Sequence, residues 1–148
     1  MRGASCVTAA DMLEFTVTTQ ARDVLVDITA RIQEMLDAAG FEGDGLCHVF
    51  VPHTTAGVTI NEGADPSVRR DIEATFARLV PRDAGYLHHE GNSDAHVKTT
   101  IVGNHTAIPI QGGAVKVGTW QHVYLVEFDG PRTRRVWLEV TRSALAGD

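Results

Sequence analysis

Histidine is the side chain that most readily moves a proton near neutral pH, and this chain carries 7 of them in 148 residues. His53, His88, His89 and His96 fall in loops or at the ends of expected elements, where an imidazole can meet a ligand. His53 closes an apolar run; Thr54 and Thr55 follow it, and Asn61, Glu62 and Asp65 come next, so this stretch supplies a base, hydroxyls and carboxylates. Taken alone, Asn61-Glu62-Gly63 is also a turn and Asp65 a helix cap. A second cluster is denser: His88, Glu90, Asn92, Asp94, His96 and Lys98 occupy every other position. An extended loop would line them up on one side. A helix starting at Ser93 would instead hold Asp94 and Lys98 together at i,i+4 and turn His96 away. His48 and His122 lie inside expected strands, and His105 can cap the carbonyls of a preceding helix.

Two chemistries use such residues. Neutral imidazoles beside carboxylates are the usual ligands of zinc and related divalent ions, which makes His53, His88 and His96 the candidate metal ligands, with Zn²⁺ or Mg²⁺ as the ion. No HExxH, HxH or CxxC spacing is present, so folding would have to bring the three together. The second chemistry is that of phosphates: Lys98, Thr54 and the first amides of a Ser93 helix could hold anionic oxygens while His or Glu transfers a proton. Glu62, Asp65, Glu90 and Lys98 are the candidate catalytic groups in either case, with Thr54 and Asn92 toward the substrate. The glycine-containing stretches QGG and VGTW fit neither GxGxxG nor a phosphate-binding loop and are expected to be turns.

The elements that must position these groups can be traced along the chain. LEFTVTT from Leu13 alternates apolar and polar residues as a half-buried strand does. Ile28, Ile32, Met35 and Leu36 recur at helical spacing, with Asp27 as N-cap and Gly40 as the stop. Residues 45–53 and 55–62 are rich in β-formers. Asp65 and Pro66 then open a helix that Pro81 ends, and a polar loop over residues 82–91 leads to a helix capped by Ser93 and ended by Gly103. The long β-runs TWQHVYLVEF and RRVWLEVTR, joined by Asp129-Gly130-Pro131, predict a hairpin. Strands and helices do not alternate strictly, which argues for an α+β fold: one compact domain over residues 11–148, a mixed, mostly antiparallel sheet covered by helices, and an extended or disordered tail at residues 1–10.

Composition sets the outer bounds. A chain of 148 residues is one domain's worth, since ordinary domains run about 100–200 residues. Thirteen basic against nineteen acidic residues give a net charge of −6, which makes nucleic acid a poor partner but leaves room for a small phosphorylated molecule in a locally positive pocket. Cys6 and Cys47 form neither a zinc-finger spacing nor a disulfide framework. With no run of 18 apolar residues and no signal-peptide pattern, neither a membrane nor export is expected, and the reading is cytoplasmic.

Three long blocks, HTTAGVTINEGADPSVRRDI, HHEGNSDAHVK and GTWQHVYLVEFDGPRTR, resemble the signature of the YjbQ family, described as a secondary thiamine-phosphate synthase family, and the resemblance runs from about Leu13 to Val140. It implies a compact α+β fold, a homotrimer with polar clefts near subunit contacts, and a site at His53, Glu62, Asp65, His88, Glu90, Asn92, His96 and Lys98. Trp120 and Gln121 match the GTWQ block, which adds Gln121 to the substrate contacts. The activity implied is weak thiamine-phosphate synthesis, a transferase reaction; the several histidines themselves point to metal-assisted phosphoester chemistry. The competing expectations are a non-catalytic module that binds a metal or small anion, and a polar cluster that merely holds a trimer together.

Overall fold

The structure is a computed structural model that describes residues 12–144; the tail expected at residues 1–10 lies outside them. In chain order the elements are β1 (Leu13–Thr18), β2 (Val24–Asp27), α1 (Thr29–Ala38), β3 (Gly45–Phe50), β4 (Ala56–Glu62), α2 (Pro66–Leu79), α3 (Ser93–Val102), β5 (His105–Gln111), β6 (Ala114–Val115), β7 (Gln121–Glu127) and β8 (Thr133–Arg142). They form a five-stranded sheet of order β1-β8-β3-β5-β6 and a three-stranded sheet of order β2-β7-β4. Every ladder between described strands is antiparallel. The α+β expectation is met.

Alternation along the strands explains the layers. Phe15, Cys47, Val49, Ile108, Val136 and Leu138 point inward from the large sheet and pack with Val58, Val123 and Leu125 of the small sheet and with Ile32 and Leu36 of α1. Tyr124 and Val126 project from the other face of β7 and join Leu25, Phe128 and Ala95 of α3, with Ile72 and Phe76 of α2 half-buried against them. The small sheet is therefore covered on both sides, which is why the centre of β7 is a continuous buried run rather than an alternating one.

The expected hairpin between β7 and β8 does not form. The two strands belong to different sheets, β7 lying between β2 and β4 and β8 between β1 and β3, so both edges of each are already occupied. Asp129-Gly130-Pro131 instead carries the chain from one sheet to the other, tied down by Gly130 N–H donating to the Arg22 carbonyl and Arg132 Nε donating to the Asp129 carbonyl.

Capping follows local chemistry. Asp65 accepts from Ser67 N–H at 2.8 Å and opens α2 as expected. At α1 the cap position is held by Ile28, not by Asp27 as expected; Asp27 accepts from both the amide and the hydroxyl of Thr29. At α3 the cap position is held by Asn92, not Ser93, which is the first helical residue; the Asn92 side chain makes no cap bond because its amide donates to Asp129 at 2.9 Å. The far end of α3 is seated on β4 at Gly57, where any Cβ would lie 2.4 Å from the Gly103 carbonyl oxygen. Among the described residues no helix is long and apolar enough to cross a membrane.

Candidate functional site

The segment after β3, the start of α3 and the crossing from β7 to β8 enclose a cleft of about 570 Å³. His53 and Thr54 line it from the first segment, Glu90, Asn92 and His96 from the second, and Asp129, Arg132 and Arg134 from the third. Asn104 closes one wall, its amide donating to the carbonyls of Val51, His53 and Ala56 and so fixing the turn that presents His53.

The floor is a buried ion pair between the two sheets. Arg134, 6 % exposed, meets the fully buried Glu127 in a bidentate pair, Nε to Oε2 at 2.7 Å and an Nη to Oε1 at 2.5 Å. Thr55 Oγ1 accepts from the same guanidinium at 2.7 Å, and Thr19 Oγ1 donates to Glu127. At the rim, Arg132 pairs with Asp129 at 3.0 Å. Burial tends to raise the Asp129 carboxyl, but the hydrogen bonds from Asn92 and Arg132 outweigh it and keep the group ionised below its ordinary range.

His53 is held neutral. Burial pushes its imidazole down first, and repulsion by Arg134 and Arg135 pushes it further. Its Nε2 accepts the Arg135 amide at 2.8 Å; an amide can only donate, so the neutral ring carries its proton on Nδ1. His96 meets His88 edge-on, with ring centroids 5.5 Å apart, and His88 Nε2 lies 3.6 Å from Glu90. The Asn92 Oδ1 is buried and has no hydrogen-bond partner in the protein, an acceptor left for a ligand donor.

The residues singled out from the sequence separate into three groups. His53, Thr54, Glu90, Asn92 and His96 line the cleft, and His88 stands beside His96. Glu62 and Gln121 face each other across the far end of the β4–β7 ladder, six residues along from the Ala56–Glu127 pair next to the cleft floor, or about 20 Å of extended strand. There the Gln121 Oε1 accepts from Gly118 N–H, and Asp65 serves as the α2 cap. Lys98, expected to hold anionic oxygens, is 2 % exposed and spends its ammonium on Asp23 and Asp94, each at 3.0 Å. Asp94 also takes a two-point contact from Arg22, so these four side chains clamp α3 to the loop between β1 and β2. Asn104, Asp129, Arg132 and Arg134 were not among the sequence candidates. Arg134 left one trace: it falls on the inward parity of Val136 and Leu138, where a lone charge needs a partner.

The donors in this chain do not fit a resident ion on the three expected imidazoles. Among the described residues no three His, Cys, Asp or Glu side chains come close enough to share one. His53 has one ring nitrogen accepting an amide and the other protonated, so neither is left for an ion, and the neighbouring walls carry guanidiniums paired with carboxylates.

The Asp94 clamp gives the chain an acid-sensitive joint. Burial alone would raise this carboxyl, but hydrogen bonds from Arg22 and Lys98 bring it from 3.8 to about 2. A depressed folded value means the contribution is complete above the unfolded value and is lost as pH falls through the folded one. The stability difference between the parent and Asp94→Asn, measured by urea denaturation, is expected to shrink by roughly 2 kcal/mol between about pH 5 and about pH 2. A difference constant over that range would show that Asp94 is not the acid-sensitive member.

Fold and cleft together define a small α+β protein built as two packed antiparallel sheets, with a polar, arginine- and histidine-lined pocket at their junction. The family model described as UPF0047 protein YjbQ-like matches residues 13–143, and the chain belongs to that family. A UPF0047 protein of Methanocaldococcus jannaschii is 43% identical over 129 residues, covering 87% of this chain and 93% of the relative. The UPF0047 protein YugU of Bacillus subtilis is 39% identical over 125 residues, covering 84% and 94%. Among solved structures, a YjbQ/UPF0047 family protein of Clostridium acetobutylicum superposes with a TM-score of 0.83 at 44% identity, covering 87% of this chain and 99% of that one. A hypothetical protein of Aeropyrum pernix gives 0.84 at 38% identity, covering 90% and 99%.

Proposed function

We propose that the cleft is the active site of an enzyme acting on a small phosphorylated molecule. The observation that carries the reading is the meeting in one pocket of the exposed Arg132 guanidinium, an imidazole kept neutral and a buried Asn92 Oδ1 with no partner. Arg132, more than half exposed at the rim, supplies positive charge for phosphate oxygens, Arg134 stays committed to Glu127 and Thr55 and holds the floor, and the Nδ1–H of His53 supplies a donor that adds no charge of its own. His96, next to His88 and Glu90, moves the proton. The unpartnered Asn92 Oδ1 takes a hydroxyl or amine of the substrate. The reaction class is transfer or hydrolysis at a phosphate or diphosphate. Attack of a thiazole phosphate nitrogen on a pyrimidine methyl diphosphate, with pyrophosphate leaving, is one reaction of that class and makes thiamine phosphate.

Calorimetry with pyrophosphate, run beside assays of thiamine-phosphate formation and p-nitrophenyl phosphate hydrolysis, tests this. His96→Ala is expected to lose about 100-fold or more in turnover while pyrophosphate still binds. Arg132→Ala is expected to weaken pyrophosphate binding about tenfold. Unchanged turnover in His96→Ala overturns the assignment; binding without turnover in the parent leaves the anion-binding module.

We also propose a homotrimer, formed through α2 by copies of this chain. Its support is that α2 buries none of its residues fully, although Val68, Ile72, Phe76 and Leu79 run along a groove of about 340 Å³ and Leu79 is 70 % exposed. Sedimentation equilibrium is expected to give three chain masses for the parent and a lower mass for Leu79→Asp. A monomeric parent overturns the proposal.

A further inference from the structure

The outward face of the five-stranded sheet carries a histidine pair that the cleft does not use. His48 lies in β3 between Cys47 and Val49, both buried, so its side chain points away from the core. The β3–β5 register sets His48 opposite Ala107 and Phe50 opposite His105, which makes the two histidines diagonal neighbours on one face. Their rings approach edge to face, and His48 Nε2 lies 3.1 Å from His105 Nδ1. Two imidazole nitrogens meet this closely only with a proton between them, one ring donating and the other accepting.

A metal ion can replace that proton. Zinc–imidazole bonds of about 2.0–2.1 Å at a tetrahedral angle place two ligand nitrogens about 3.3–3.4 Å apart. The observed separation is short of this by a few tenths of an ångström, within reach of small rotations of two surface rings. The backbone beneath is firm, because β3 is hydrogen-bonded on both sides, to β5 and to β8. Glu139 lies directly opposite His48 across the β3–β8 ladder and is exposed, adding negative charge beside the pair.

We propose that His48 and His105 form a two-point site for a divalent transition ion, with water completing its coordination. Imidazole ligands select nickel, copper and zinc and leave magnesium and calcium unbound, and affinity should follow Co²⁺ < Ni²⁺ < Cu²⁺ > Zn²⁺. The ion fastens β3 to β5 and stabilises the folded chain only. The site is separate from the proposed chemistry of His53, His88 and His96.

Calorimetric titration of the full chain with Ni²⁺ and Zn²⁺ at neutral pH tests the site. The parent should take one ion. His48→Ala and His105→Ala should each lower affinity at least tenfold, the double variant should show no binding of that ion, and Ni²⁺ should raise the melting temperature of the parent alone. Because both positions are on the sheet surface, His48→Gln and His105→Gln give a second pair with the same expectation should an alanine variant fail to fold. Equal affinity in the parent and the double variant overturns the proposal. So does loss of the ion in a His88→Ala/His96→Ala control that retains both strand histidines.

Discussion

Replacing Glu127 with alanine is expected to destabilise the folded chain by about 3–5 kcal/mol in urea denaturation. Arg134 keeps 6 % exposure and would be left with the Thr55 hydroxyl and carbonyl as its acceptors, an almost bare cation between two sheets. The Thr19 hydroxyl and the Asp129 amide, both donors to Glu127, would lose their acceptor at the same time. Breaking the pair costs more than the pair contributes, since most of the loss is the uncompensated buried charge. The double variant Glu127→Met/Arg134→Met removes both charges and is expected to recover most of the stability. A single-variant loss below about 1 kcal/mol would mean that water reaches the pair.

The second large effect is at Lys98. Lys98→Met removes the ammonium from Asp94 and Asp23 and is expected to cost about 3 kcal/mol, because Asp94 is fully buried and retains only Arg22. At a temperature where the variant is still folded, turnover is expected to stay within a few-fold of the parent, since Lys98 does not line the cleft. A hundredfold fall in turnover with unchanged stability would return Lys98 to the catalytic set.

How much of this was legible depended on the range of the forces involved. Asp65-Pro66 announced α2 because capping and the fixed proline backbone act within a few residues. The Asp94–Lys98 pairing and the turning-away of His96 followed from helical spacing, once Ser93–Val102 was taken as a helix. The β7–β8 connection was misread for the opposite reason: turn residues show that a chain reverses, while the partner of each strand is decided by edges hundreds of atoms away. The same limit hid Arg134. Nothing near it in sequence indicates Thr55, and only its inward parity betrayed that a charge was being buried. Glu62 and Gln121 share sequence blocks with His53 and the β7 core, yet strand length alone carries them to the other end of the small sheet. The short strands β2 and β6 left no periodic signal, being 4 and 2 residues long.

The crossing between sheets at residues 128–132 has a mechanical consequence. Glu127 rides on one sheet and Arg134 on the other, with only this connection between them, so any slippage of one sheet past the other must first rupture the bidentate contact. The pocket floor thus works as a rivet. Backbone amides on its two sides should exchange with deuterium as one cooperative unit.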